Sequence, residues 1–262
     1  MLKNKNIVII IFRIISLLII IGCLVVLYKW NQNNNKNANI KNELESYAKI
    51  DNNISNEYME NNILLDETLE KDYKLDVNFD KLTSKNTDTV AWIKVNNTNI
   101  NFPIVQSSDN NYYLKHNFYN ESNGAGWIFA DYKCNFDILS KNTIIYGHNR
   151  RNGTMFSNLS YMLEENWNFE NDNSYFEFAT KSTTYKADIF SVYMIDATKL
   201  TLESDFYDNY KFYDYIEKIK ELSIYNFGLE INENDKIITL CTCDNTSKNR
   251  IIVVAKLNEL KQ

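Results

Sequence analysis

An apolar run near the N-terminus constrains the fold of this chain more than any other feature. The run IVIIIFRIISLLIIIGCLVVLY (Ile7 to Tyr28) has 22 residues and is interrupted only by Arg13 and Ser16. A helix rises 1.5 Å per residue, so this segment would be about 33 Å long, enough to cross a hydrocarbon core about 30 Å thick. Lys3, Lys5 and Arg13 precede its uncharged part. The positive-inside rule therefore predicts a single-pass membrane anchor with a cytoplasmic N-terminus and an extracellular remainder.

Two other interpretations of the apolar run stay open. A cleaved signal peptide has a shorter apolar region, followed closely by a small-residue cleavage site. A lipoprotein signal is suggested by IIGC (Ile20 to Cys23), with Cys23 as the lipid-bearing residue. Five more apolar residues follow Cys23, however, where a lipoprotein usually turns polar. The length of the run favours the uncleaved anchor over both alternatives.

The chain beyond the anchor, which we place at residues 1–30, divides into three regions. Residues 31–39 read NQNNNKNAN, lack apolar periodicity and are expected to form a solvated tether. Apolar residues recur at roughly helical spacing after it, so residues 40–76 are predicted to be an N-terminal helical segment. Residues 77–262 are predicted to form a β-rich domain. The formal net charge of −6 provides no overall basic field, which argues against nucleic acid as a partner.

The β-rich domain contains eight short runs typical of strands. They are Thr89–Val95, Thr98–Val105, Gly126–Tyr132, Asn142–Asn149, Ser174–Thr180, Thr184–Asp196, Asp235–Cys243 and Arg250–Leu257. Two helices are predicted between them, a short one at Met155–Glu164 and an amphipathic one at Phe206–Leu222. The predicted apolar stripe of the longer helix consists of Phe206, Tyr210, Tyr213, Ile216 and Ile219. Many short strands with few helices indicate a mainly β fold, either a closed barrel or a sandwich.

Two of the four cysteines, Cys241 and Cys243, lie one residue apart in the segment TLCTC. With Cys23 in the apolar run, three cysteines remain outside, so at least one external thiol is unpaired within a monomer. Residues i and i+2 of a strand share one face, with Cα atoms about 6.5–7 Å apart, at the outer limit of disulfide geometry. A disulfide from Cys134 to either residue stays open.

A zinc site is the second possible use of these cysteines. Cys241, Cys243 and His148, with Cys134 or His116, would supply four ligands. Structural zinc sites, however, take their cysteine pairs from turns with two to four intervening residues, so C-x-C on a regular strand fits poorly. We therefore expect neither a metal nor another cofactor.

Nucleophilic catalysis is the third possible use. A catalytic thiol needs a partner, typically a histidine, and a donor for the oxyanion. His148 follows the strand-like NTIIYG and opens the loop HNRRNG, although an ordinary surface histidine fits the same position. His116 lies among aromatic residues in YYLKHNF and is expected to be packed structurally. Arg250 opens the strand after Cys243, although an edge charge without function fits the same position. Only the six residues Asp244 to Asn249 join these two strands, which should therefore run antiparallel with Cys243 and Arg250 facing each other.

Taken together, these segments resemble a sortase. TLCTC at the end of a strand, an arginine at the start of the next strand and YGHN upstream form the pattern. The stretch from Val77 to Phe118 resembles the opening of class B sortase domains, and GAGWIFADY resembles their next strand. The helix Phe206–Leu222 is similar to the helix that class B sortases insert between two late strands. The resemblance spans about Val77 to Leu257.

The resemblance implies an eight-stranded β-barrel and a membrane-anchored cysteine transpeptidase on a Gram-positive cell surface. It assigns Cys243 as the nucleophile, His148 as the general acid/base, and Arg250 as the cation that binds the oxyanion or the substrate. Its implied partners are surface proteins with a C-terminal sorting signal of the Asn-Pro-x-Thr kind, and an amine of peptidoglycan or its precursor. By family position, the expected groove-lining residues are Asn110, Leu114, Thr242 and Asp244.

The sequence departs from the family pattern in three places. Cys241 occupies a position that is usually Ser or Ala, which puts a second, oxidisable thiol in the groove. Ala91 stands where a glycine often precedes the tryptophan, and the loop from Cys243 to Arg250 is short. Two other functions remain open at this stage, a cysteine hydrolase of surface peptides and a catalytically silent surface-binding module.

Overall fold

The computed structural model describes residues 2–51, 74–164, 167, 169, 173–243, 246 and 248–260. The chain forms two compact units, Met1–Ile40 and Lys41–Gln262. The first unit is helical, and the second contains a closed β-barrel.

The chain begins with a 44-residue helix, α1 (Leu2–Glu45). Within the described residues, its apolar part is the one helical segment long and apolar enough to cross a membrane. The apolar side chains in this part, such as Phe12 and Leu18, are exposed. A soluble domain rarely exposes so much contiguous apolar surface, which agrees with the predicted anchor.

The predicted tether at residues 31–39 is wrong in its local structure, because α1 continues through it. The prediction relied on the absence of apolar periodicity. Such periodicity indicates that one face of a helix is buried, and its absence does not argue against the helix itself. Asparagine lowers helix propensity only modestly, and neither Gly nor Pro occurs between Leu24 and Glu45. A helix already nucleated in the apolar run can therefore extend through the polar residues.

The predicted helical segment at residues 40–76 is also different where the structure describes it. After α1 ends, strands β1 (Ala48–Asp51) and β2 (Lys74–Val77) pair antiparallel as a separate two-stranded sheet. The intervening part of the prediction, residues 52–73, lies outside the described residues. A short helix, α2 (Phe79–Lys85), follows, and Asn78 caps it by accepting a hydrogen bond from the Lys81 amide.

The predicted eight-stranded barrel is confirmed. Its strands are β3 (Thr89–Val95), β4 (Asn101–Val105), β5 (Phe129–Ala130), β6 (Asn142–Tyr146), β7 (Tyr175–Thr180), β8 (Thr184–Asp196), β9 (Lys236–Cys243) and β10 (Asn249–Glu259). They close in the order β10-β8-β7-β3-β4-β5-β6-β9. β6 runs parallel to β9, whereas β10 runs antiparallel to both β8 and β9. Strands distant in sequence are therefore neighbours around the site described below.

Several element boundaries differ from the prediction. β5 has only two residues of the seven expected, and β4 begins three residues later than expected. The helix predicted at Met155–Glu164 is a 3-10 helix at Ser157–Leu163, and another 3-10 turn forms at Tyr112–Leu114. The β3–β4 hairpin follows the prediction, and Asn97 in its turn has a φ of 55°. Asparagine tolerates this left-handed conformation better than most residues do.

Helix α3 (Asn209–Leu222) covers the outer face of the barrel wall formed by β8, β10 and β9. Its buried residues are Phe212, Tyr215, Ile216 and Ile219. The predicted stripe was wrong in part, because Tyr210 and Tyr213 are exposed and Phe206 lies before the helix. Tyrosine is amphipathic and does not report a buried face as reliably as phenylalanine or isoleucine does. The helix creates a second apolar core outside the barrel.

Candidate active site

Cys243 and Arg250 face each other across two paired strands. β9 ends at Cys243, β10 begins one residue before Arg250, and the register pairs these two residues directly. The predicted pairing is thus confirmed. Directly opposed residues have Cβ atoms about 4.5–5.5 Å apart and side chains on the same face of the sheet. Both side chains are partly exposed, so the thiol and the guanidinium are accessible from solvent.

His148 lies just beyond the neighbouring strand. In the parallel pairing of β6 with β9, Tyr146 is opposite Cys241. Two further hydrogen bonds continue this contact, from the Gly147 amide to the Cys241 carbonyl (3.2 Å) and from the Asn149 side chain to the Cys243 carbonyl (2.8 Å). His148 stands between these two bonded residues. The structure therefore brings all three predicted catalytic residues to one end of β6, β9 and β10.

The imidazole of His148 is oriented by a backbone carbonyl. Its Nε2 lies 2.9 Å from the carbonyl oxygen of Leu114. A carbonyl oxygen only accepts, so Nε2 carries the proton in this bond and Nδ1 is the nitrogen that can exchange a proton. The His148 carbonyl in turn accepts from the Phe156 amide at 3.0 Å. These contacts fix the orientation of an imidazole beside the strand ends that carry Cys243.

Gly126 allows this histidine arrangement, and sequence reasoning did not assign it a role. Its φ is +62°, and a Cβ there would lie 2.6 Å from the Tyr113 carbonyl oxygen, 2.9 Å from the His148 ring and 3.0 Å from the Leu114 carbonyl oxygen. Two of these three neighbours are backbone atoms, which cannot move aside cheaply. Only glycine therefore fits against the ring and its acceptor. The signal in the sequence was a glycine, in GAGW, at the first position of a predicted strand.

Cys241 differs from Cys243 although both lie on the same face of β9. Its side chain is buried (4% exposed) in the apolar core under α3, with Tyr193 and Ile252. Burial raises the pKa of Cys241 to about 12, although the positive charge of Arg250 opposes the increase. At pH 7 a thiol with this pKa is thiolate in only about one molecule in 10⁵. Cys241 therefore remains a neutral, enclosed thiol next to the accessible one.

The remaining cysteine and histidine of the barrel domain have structural environments. Cys134 is buried, and its sulfur contacts the Asn142 carbonyl (3.7 Å) and the Ile144 amide (3.3 Å). Burial raises its pKa to about 12. All four cysteines are free thiols, so the disulfide left open for Cys134 does not form in this structure. His116 stacks on Tyr112, with ring centroids 4.0 Å apart, as expected for a packed histidine.

The predicted groove-lining residues have different positions. Leu114 is partly exposed and touches the site through its carbonyl group. Asn110 is also partly exposed, but both ends of its side-chain amide are engaged, as described below. Thr242 is wrong as a groove residue, because alternation along β9 turns it to the barrel interior, where it is 2% exposed and donates to the Gly147 carbonyl. Asp244 lies outside the described residues.

Comparison with protein families gives a match over most of the β-rich domain. The model of the sortase domain matches residues 93–258. Sortase B of Listeria monocytogenes is 38% identical over 179 residues, which cover 67% of this chain and 72% of the relative. Sortase B of Staphylococcus aureus is 32% identical over 182 residues, covering 68% and 74% respectively.

Solved structures give the same result for the fold. A Bacillus anthracis protein described as similar to sortase B has a TM-score of 0.71 and 31% identity, covering 88% of this chain and 98% of its own. The Staphylococcus aureus sortase B–substrate complex has a TM-score of 0.65 and 31% identity, covering 70% and 85%. Clostridium perfringens sortase B has a TM-score of 0.64 and 37% identity, covering 70% and 100%.

Proposed function

Because this chain belongs to the sortase family of cysteine transpeptidases, with class B enzymes as relatives, we propose that it attaches surface proteins to a cell-wall amine. The observation that carries the proposal is the meeting of Cys243, Arg250 and His148 at one end of three adjacent strands. A thiol, a fixed cation and an imidazole are the groups that acyl transfer through a thioester requires.

In the first half of the reaction, the Cys243 thiol gives its proton to Nδ1 of His148, and its sulfur attacks the threonine carbonyl carbon of a C-terminal sorting signal. The carbonyl oxygen becomes an oxyanion, which the guanidinium of Arg250 stabilises from across the strand pair. The C–N bond then breaks, and His148 donates a proton to the departing amine. The products are a thioacyl enzyme and the released C-terminal peptide.

In the second half, the amine of the acceptor attacks the thioester carbon. His148 accepts a proton from this amine, the C–S bond breaks, and His148 returns the proton to the sulfur to regenerate Cys243. The new amide joins the surface protein to its acceptor. The proposed substrates are signals of the Asn-Pro-x-Thr kind, and the proposed acceptor is a peptide amine of peptidoglycan or its precursor.

The decisive experiment is incubation of the purified protein with labelled sorting peptides and an amine acceptor, followed by mass spectrometry. Transpeptidation predicts a thioacyl adduct on Cys243 and a product with the acceptor attached, and the Cys243→Ala variant should give neither. Release of free acid alone, with the acceptor present, would instead identify a hydrolase. Absence of any adduct across a panel of peptides would support a silent binding module.

We also propose that α1 anchors the protein in the membrane with its N-terminus in the cytoplasm and the barrel outside. Protease added to intact cells should then remove the barrel domain, whereas an epitope tag fused to the N-terminus should remain protected. A chain truncated to begin at Lys41 should be soluble and active. Cleavage before Cys23 with a lipid on that residue, detected by mass spectrometry, would contradict the uncleaved anchor.

A further inference from the structure

Asp131 is a buried carboxylate that bonds to the end of β6, the strand leading to His148, and the proposed reaction does not use it. It follows β5 and is only 7% exposed. Its Oδ2 accepts hydrogen bonds from the Asn110 side-chain amide (2.8 Å) and from the Tyr146 hydroxyl (3.0 Å). Its Oδ1 accepts from the Lys133 amide (2.9 Å). A carboxylate can be buried only when hydrogen bonds from the protein replace those it made to water. Hydrogen bonds to a charged carboxylate are strong, so they restrain the Asn110, Tyr146 and Lys133 donors.

Tyr146 connects this carboxylate to the site. It ends β6, lies opposite Cys241 and precedes His148 by two residues. Its ring packs against the Phe129 ring, with centroids 5.3 Å apart, and its side chain is partly exposed. Burial and the neighbouring Asp131 raise the pKa of Tyr146, so the hydroxyl keeps its proton. That single hydrogen is directed at Asp131, so the Tyr146 oxygen can only accept from any other group.

Asn110 is oriented from the opposite side. Its Nδ2 donates to Asp131, and its Oδ1 accepts from the Tyr132 amide at 3.0 Å. The backbone around the carboxylate is fixed as well, because Gln106 donates to the carbonyls of Asp131 and Cys134 (2.8 and 2.7 Å). The Tyr146 hydroxyl and the Asn110 side-chain amide therefore each have one defined orientation, because both donate to the carboxylate of Asp131.

We propose that Asp131 is a positioning residue for substrate selection, because it fixes the hydrogen-bonding polarity of Asn110 and of Tyr146, which lies on the strand that leads to His148. With the carboxylate present, the Tyr146 oxygen accepts only, so it favours peptides that offer an N–H at that place. Without the carboxylate, the hydroxyl can rotate and donate, and peptides that offer a carbonyl there are accepted as well. The inference rests on the proposed function.

The test compares the steady-state kinetics of Asp131→Asn and the unaltered protein on a panel of sorting peptides. We expect KM for the preferred peptide to rise by about tenfold, the usual effect of one lost hydrogen bond to a charged group. Discrimination within the panel should fall, while kcat and its pH dependence change less than twofold. Labelling of Cys243 by a methanethiosulfonate reagent should keep its rate, since Asp131 does not act on the thiol.

A double-mutant comparison separates this role from a general effect on folding. If Asp131 acts through the Tyr146 hydroxyl, Tyr146→Phe should raise KM similarly and the double variant should be no worse than Tyr146→Phe alone. Should Asp131→Asn fail to fold, Tyr146→Phe tests the same bond with the carboxylate in place. An unchanged KM in a folded variant, additive effects, or a fall in kcat at constant KM would overturn the inference. Absence of any thioacyl adduct with the unaltered protein would instead overturn the proposed function.

Discussion

The two halves of the candidate site are held in different ways. Cys243 and Arg250 belong to a continuous antiparallel ladder, so their relationship follows from the register of β9 and β10. His148 lies beyond the end of β6 and is held by separate contacts from Leu114, Phe156 and the surface of Gly126. Many backbone hydrogen bonds along the strand pair together fix the positions of Cys243 and Arg250. The position of His148 depends on only a few contacts, so the loss of any one of them matters more. The cysteine half should therefore tolerate changes around it better than the histidine half.

The largest effect should come from the cysteine half itself. Cys243→Ala should abolish formation of the thioacyl enzyme, because no other thiol on that face is accessible. Cys241→Ser is the matched control, since this neighbour is buried and stays protonated. It should retain most of the activity and the adduct, measured by mass spectrometry. An adduct that persists in Cys243→Ala and disappears in Cys241→Ser would reverse the assignment.

The next effect concerns the cation on the same ladder. Arg250→Ala should lower kcat by about 10²–10³-fold, the usual loss for one oxyanion donor. Arg250→Lys should restore only part of it, because lysine offers a mobile point charge in place of a fixed fork of donors. Circular dichroism should show a folded domain in both variants. Lys248 is an exposed cation two residues before Arg250, so Lys248→Ala serves as the control. Loss of activity in Lys248→Ala together with an active Arg250→Ala would refute the role given to Arg250.

A smaller effect should appear in the histidine half when Gly126 is replaced. Gly126→Ala should lower kcat by about 10–10²-fold, because the new Cβ displaces the His148 ring or its acceptor, and misplacement by about 1 Å can reduce a rate this much. Gly228→Ala is a matched control, with a φ of +64° and open space around its Cβ. The left-handed backbone should cost each variant about 1–2 kcal/mol of folding free energy, and the clash around Gly126 should destabilise Gly126→Ala further. Equal kcat values in the two variants would show that Gly126 matters only for folding.

The smallest effect should come from a region outside both halves. Lys85 forms an ion pair with Glu43 at 2.8 Å and, with Tyr119, lowers the pKa of the Glu43 carboxyl. A lowered carboxyl pKa contributes stability above its ordinary value of 4.5, and the contribution is lost as the pH falls through the lower folded value. Solvent screens this exposed pair, so Glu43→Gln should lower the melting temperature at pH 7 only slightly.

Thermal melts between pH 7 and pH 3 would measure this effect. The difference between Glu43→Gln and the unaltered protein should shrink below pH 4.5, while kcat at pH 7 stays unchanged. Glu217→Gln, in a looser exposed pair with Lys220 at 3.5 Å, is the control and should show a smaller difference. A difference that grows on acidification would mean that the ion pair does not stabilise the fold.

The same contrast explains what the sequence could predict. The pairing of Cys243 with Arg250 could be predicted because only six residues join the two β-rich runs, which must then run antiparallel. Thr242 was misassigned because its family position was carried over without the two-residue alternation of a strand. The contributions of Leu114 and Gly126 could not be read from side-chain chemistry, since one acts through its carbonyl group and the other through a missing Cβ. Contacts between residues that are distant in sequence, such as Leu114 and His148, are not visible in a sequence pattern.

The position of β10 in the barrel has a consequence for the order of events during synthesis. β10 is the last of the described strands, yet it lies between β8 and β9 and completes the barrel. Its neighbour β9 pairs with β6 across a separation of 95 residues, as Asn142 opposite Ile237 illustrates. Contacts between such distant segments form late, because loop closure is entropically costly. A growing chain therefore contains its histidine long before its thiol and guanidinium can face each other, and the three candidate site residues meet only after β10 has been made.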